Sequence, residues 1–228
     1  MRFARRIILR LCCLAFVTAP AVMSVQSAPP QPDPLVARLQ AKLDALESLK
    51  GRFTQSLESA TLGRPRIENG SFALRKPGRM RWEYQEPEKK LAISNGGITW
   101  FYLPEEREAY KGSVSAAREG GPAVLLLSGG LRLDRDFSSR RLTADEAGPQ
   151  GFAGAEAVEL KPLRPSEEFE RVILGVDTHR ALIRRLVVID ALDDKMTFSF
   201  HDLVENPVLP EDLFEFKVPP GVEVIEQP

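Results

Sequence analysis

Thiols and imidazoles are scarce in this 228-residue chain: the two cysteines are Cys12 and Cys13, and the two histidines are His179 and His201. Both cysteines sit among the first 27 residues. There Arg2, Arg5, Arg6 and Arg10 flank the start of an apolar run, LCCLAFVTAPAVM (11–23), and small residues follow at VQSA (25–28). That order is the layout of a cleavable secretory signal, too short and too interrupted by Pro20 for a membrane span. Cleavage is expected after Ser27, which makes 1–27 a signal peptide. Arg10 stands where a lipoprotein attachment box needs a small residue, so no acyl anchor is expected at Cys12. The exported chain then has no thiol for a disulfide.

Catalytic signatures are missing as well. Ser128 lies in LLSGG, without the G-x-S-x-G spacing of a nucleophile elbow, and neither G-x-x-x-x-G-K-[ST] nor H-E-x-x-H occurs. His179 falls in an expected turn, and His201 lies on the polar phase of KMTFSFHDL, opposite Met196, Phe198 and Phe200. Nothing pairs two carboxylates for acid–base work. No catalytic residue, metal site or cofactor is expected. A basic excess is also lacking: losing the four signal arginines takes the 31 basic residues to 27 against 32 acidic, and the net charge from −1 to −5. That argues against a nucleic-acid binder and implies a soluble, mildly acidic exported protein.

What remains has a clear rhythm. The Pro-rich stretch APPQPDP (28–34) reads as an extended, flexible arm. Asp33 as N-cap and Pro34 at the first helical position then open a helix over 35–49. Val36, Leu39, Leu43 and Leu46 give it one apolar stripe, and Gly51 is placed to close it. From Arg52 the period becomes two, in short runs that include RFTQSLES, IENGSFALR, RMRWEYQ, KLAISN, ITWFYL, FERVILGVD, ALIRRLVVID, KMTFSFHDL and LFEFKV. Breaks at Asn95-Gly96-Gly97, Asp177-Thr178-His179 and Asp193-Asp194 suit hairpins, so an antiparallel meander that curls into a sandwich or barrel is expected. Residues 35–228 are long enough to bury one sizeable core as a single domain.

Strand after strand, one phase is large and apolar: Phe72 and Leu74; Met80, Trp82 and Tyr84; Leu91 and Ile93; Trp100 and Tyr102; Met196, Phe198 and Phe200. These residues would serve an ordinary core, or they would wall a space for something carried. Two facts favour the second use: the aromatics cluster within 72–102, and a curled sheet needs something to fill its interior. The candidates are the 35–49 helix and the glycine-flanked run Val124, Leu125, Leu126, Leu127, which by itself reads as a short buried helix or strand and more sharply as a hinged flap.

The chain resembles the LolA family of periplasmic carriers of outer-membrane lipoproteins. The likeness runs from about residue 35 to the C-terminus and rests on GRFTQ (51–55), ENGSFALRKPGRMRWEY (68–84), LAISNGGITWFYLP (91–104), GPAVLLLSGG (121–130) and LFEFKVPPGVEVI (213–225). The K-P-x-x-x-x-W-x-Y and S-N-G-x-x-x-W-x-Y blocks carry it most strongly, and 131–170 matches only loosely. The resemblance implies an unclosed antiparallel β-barrel under a helical lid, an α+β fold rich in β. Acyl chains would lie between the lid (Val36, Leu39, Leu43, Leu46 and 124–127) and the apolar phases named above. It implies acylated lipoproteins as cargo, an inner-membrane ABC transporter as donor and an outer-membrane receptor as acceptor, with the carrier itself a monomer in the periplasm. Family members latch the lid through an arginine before a proline; here Lys76 holds that position, with Arg75 just before it. Lysine offers a point charge rather than a planar fork. A related glycolipid carrier or envelope-stress sensor on the same fold, and a secreted hydrolase, are the competing expectations.

Overall fold

The computed structural model describes residues 33–113, 126–127, 130–147, 155–166 and 169–227. Alternating residues there form β1 (Ser48–Glu58), β2 (Arg66–Arg75), β3 (Arg79–Glu86), β4 (Lys90–Asn95), β5 (Ile98–Leu103) and β6 (Glu108–Ser113). They continue as β7 (Phe137–Leu142), β8 (Ala155–Pro162), β9 (Arg171–Asp177), β10 (Leu182–Ile189), β11 (Lys195–Glu205) and β12 (Glu223–Glu226). All belong to one sheet in the order β12-β6-β5-β4-β3-β2-β1-β11-β10-β9-β8-β7. The pairs are antiparallel except β12, which runs parallel to β6. The end strands β12 and β7 are not neighbours, so the sheet is unclosed.

Directly opposed residues share a face. One continuous inner row is Leu49–Leu74–Met80–Ser94, and the next is Gly51–Phe72–Trp82–Ala92. Across β1 the inner face continues through Phe53–Phe200 and through Gln55–Phe198–Leu186–Leu174–Val158. Side chains from both halves of the sheet join a single core with α1 (Pro34–Ala45), so the sheet wraps its inner face around that helix.

The helix begins as its sequence dictates and ends earlier. The Asp33 carboxylate accepts from the Leu35 backbone N–H at 2.8 Å, with Pro34 at the first helical position. Leu46 is already extended, and Ser48 enters the β1 ladder. Gly51 therefore closes no helix. It sits where the β1–β11 register shifts, and a Cβ there would lie 2.8 Å from the His201 carbonyl and 3.1 Å from the Phe72 ring. Gly70 is bare for a related reason: a Cβ would meet the Phe53 ring at 2.7 Å, so Phe53 lies across β2.

Two segments depart from the expected pattern. FSSRRL forms β7 although its alternation is poor; it is held by its pairing with β8. LFEFKV is not a strand: Glu211–Phe214 form a 3-10 turn lying against β3 and β4, and Phe216 packs beyond it. The Pro-flanked sequence offers its apolar groups to the sheet's outer face rather than its N–H groups to a ladder.

Asp33 is also gripped by the Arg141 guanidinium at 3.0 Å, and that hydrogen bond holds its carboxyl below the usual aspartate range. A lowered folded pKa stabilises above the unfolded value and is lost as pH falls through the folded one. Asp33→Ala is expected to cost about 1 kcal/mol in urea unfolding at neutral pH. The gap to the unaltered protein should close as pH drops below the ordinary aspartate range.

Candidate functional site

The middle of the inner face is aromatic. Trp82 is fully buried; the rings of Phe53 and Phe72 lie 4.7 and 5.0 Å from it, and Phe198 and Phe200 meet it edge-on at 5.8 and 6.3 Å. Phe72, Leu74, Met80, Trp82, Tyr84, Phe198 and Phe200 share this core, with Met196 half-buried at its margin. Helix α1 lays Val36, Leu39 and Leu43 on it, and Leu46, Leu126 and Leu127 join them. Val124 and Leu125 lie outside the described residues. The rings rest on one another and on the helix. Among the described residues the buried Trp82 indole N–H has no hydrogen-bond partner, which costs about 1–3 kcal/mol in a closed core.

Four residues expected in this wall are elsewhere. Ala92 opposes Trp82, whereas Ile93 opposes Trp100 and Leu91 opposes Tyr102. Leu91, Ile93, Trp100 and Tyr102 therefore face the outer side of the sheet. The bulkier phase marks the inner face only when the other side is wet, and here both sides are covered. Phe216 stands against Trp100 and Tyr102, with ring centroids at 5.2 and 5.3 Å. Arg75 donates to the Leu209 carbonyl at 2.7 Å and lies 5.1 Å over the Phe214 ring. The available signal was Phe101 between Trp100 and Tyr102, a strand apolar on both phases. A groove of about 470 Å³ under this outer cover is lined by charged residues (Lys50, Arg52, Arg81, Glu83 and Asp202) and by apolar ones (Ala73, Leu209 and Leu213).

Helix α1 is stitched along its margin by polar contacts. Arg141 grips Asp33, Arg132 meets Asp44 at 3.1 Å, and Lys42 pairs with Glu205. The Gln40 side-chain oxygen accepts from the Leu133 N–H at 2.8 Å. At the helix end the Lys76 ammonium donates to the Leu43 carbonyl, and burial pushes its pKa below the ordinary lysine value. Arg75 points to the opposite face and offers no substitute. Beneath the helix end, Asn206 Oδ1 accepts from the Glu47 N–H at 2.9 Å and from the Ser48 N–H at 3.3 Å, fixing the joint between α1 and β1.

Among the described residues no group of His, Cys, Asp and Glu could hold a metal ion, and His179 and His201 are exposed. No helix among them is long and apolar enough to cross a membrane.

A family model described as outer membrane lipoprotein carrier protein LolA matches residues 44–217. The outer-membrane lipoprotein carrier protein of Nitrosomonas europaea is 29% identical over 190 residues, spanning 83% of this chain and 88% of that one. Its counterpart in Legionella pneumophila strain Paris is 32% identical over 191 residues, again covering 83% and 88%. Among solved structures, an uncharacterized conserved protein from Thermus thermophilus superposes with a TM-score of 0.53 at 11% identity, over 85% of this chain and 97% of that one; it shares the fold.

The two tryptophans offer a test of which residues face the core. In Trp100→Phe the remaining emission, from fully buried Trp82, should be blue-shifted and resist iodide. In Trp82→Phe the remaining emission, from half-buried Trp100, should be quenched readily. Equal quenching of both variants would contradict the assignment of faces.

Proposed function

The chain belongs to the LolA family of outer membrane lipoprotein carriers, and from that premise we propose that it shields lipoprotein acyl chains in the periplasm. It accepts them from an inner-membrane ABC transporter and surrenders them to an outer-membrane receptor. The reading assigns no catalytic step to the chain. The observation that carries it is the pairing of a fully buried aromatic wall with a helical cover whose outer contacts are individually weak.

In this reading, residues 46–48 are the hinge and α1 swings away from Phe72, Met80, Trp82 and Phe198. Burying hydrocarbon is worth about 0.8 kcal/mol per CH₂, so partial shielding of a long chain already gives several kcal/mol. Enclosing several chains completely would approach the ceiling of non-covalent affinity and make release slow. Met80 and Met196 adapt to irregular guests. Lys76 is the latch: its bond to the Leu43 carbonyl must break when the helix leaves.

The chain carries no cysteine beyond position 13, so Lys42→Cys and Glu205→Cys can be joined selectively by a short bifunctional thiol reagent in the exported protein. The joined protein should fail to take up lipoprotein, and reduction of a cleavable linker should restore uptake. Uptake unchanged by the link would contradict the moving lid. Lys76→Leu removes the latch and its buried charge, and should raise cargo retention, seen as transfer to the receptor at least severalfold slower at equal loading. Unchanged transfer would remove Lys76 from the mechanism.

A further inference from the structure

Past its aromatic centre, the inner face divides into two unlike halves. Towards β2–β4 it turns polar. The Tyr84 hydroxyl donates to Gln55 Oε1 at 2.8 Å, while Lys90 and Arg66 donate to Glu68 Oε1 at 2.7 and 3.0 Å. Lys90 also lies 4.5 Å over the Tyr84 ring. Gln55, Glu68 and Tyr84 are all buried, so these groups lie inside the wrap of the sheet. On the other side of β1 the same level stays apolar. Its cross-strand row is Leu57–Met196–Val188–Val172–Leu160, and the row before it ends in Phe198–Leu186–Leu174–Val158. Leu57 and Met196 are half-buried, while Val188, Val172 and Leu160 are buried.

We propose that the Gln55–Tyr84 and Glu68–Lys90–Arg66 contacts form a polar corner that excludes hydrocarbon and steers the far end of a bound alkyl chain into the lane over Phe198 towards Met196. The inference rests on the hydrocarbon-carrier reading and adds to it the path of the chain. Its physical basis is the asymmetry of cost. Sliding methylenes between Lys90 and Glu68 would part a buried, hydrogen-bonded ion pair, which is strongly unfavourable when either partner is left alone. Sliding them past Met196 displaces only a flexible thioether. From Met80 to Tyr84 the strand rises only ~13 Å, at about 3.3 Å per residue. A long chain entering at the lid end therefore reaches this level and must take one side.

The test uses the full exported protein with two probes, decanoate and stearate, kept below their micelle concentrations; the readout is the ratio of the two affinities. Met196→Gln should cut the stearate-to-decanoate ratio about tenfold, the loss expected when roughly two methylenes are no longer buried. Making the corner apolar in that background, with Glu68→Leu and Lys90→Met together, should restore the ratio by opening a second lane. Both members of the inward pair are replaced, and the third, Arg66, is half-exposed and keeps Glu88 at 3.1 Å, so no buried charge is orphaned and the fold is expected to tolerate the change. Gln55→Leu with Tyr84→Phe provides an independent version of the corner substitution. A ratio unmoved by Met196→Gln, or left low by both corner substitutions, would overturn the proposal. Failure of the unaltered protein to bind either probe would instead overturn the hydrocarbon reading, and this inference with it.

Discussion

The contact on which the rest depends is the one between the apolar stripe of α1 and the aromatic inner face of the sheet. Val36, Leu39 and Leu43 are almost wholly buried there, on the wall that contains Phe72, Trp82 and Phe198. Burying each such side chain is worth about 1.5–3 kcal/mol, equivalent to roughly two to four methylenes of an alkyl chain. In the proposed function, this is the scale on which hydrocarbon would compete with the helix for the wall. A cover worth far more would never yield, and one worth far less would leave the wall open to water.

Magnitudes also separate the centre of the lid from its margin. A partly exposed ion pair such as Lys42–Glu205 contributes about 0.2–1 kcal/mol, and Arg132–Asp44 is more exposed still. They orient the helix without deciding whether it stays. Lys76 differs, since it is partly buried and bonded to a backbone carbonyl at the end of the helix beside the joint to β1. The outer face has its own cover in Leu209, Phe214 and Phe216, tied down through Arg75. Because Arg75 and Lys76 are adjacent in sequence, the end of β2 braces the 209–216 segment on one side of the sheet and helix α1 on the other.

The strand rhythm, the hairpin breaks and the start of the helix were legible in the sequence because each is local: alternation, Asn-Gly-Gly, Asp-Pro. The same locality explains what was misread. Leu91, Ile93, Trp100 and Tyr102 read as inner wall because a bulky phase normally faces the core. Which phase is inner was set by the β3–β4 register, and the outer phase was buried by a segment more than a hundred residues away. LFEFKV reads as a strand by alternation, yet its partners are rings on the sheet face. The polar corner was invisible because Gln55, Glu68 and Lys90 come from three different strands.

Amide hydrogen exchange across α1, measured with and without bound lipoprotein, tests the exchange of helix for hydrocarbon most directly. The amides of residues 34–45 should lose protection when cargo is bound, while the β1–β3 and β9–β11 ladders stay as slow as before. Protection of α1 that is unchanged or increased in the loaded protein would contradict the claim that hydrocarbon takes the helix's place.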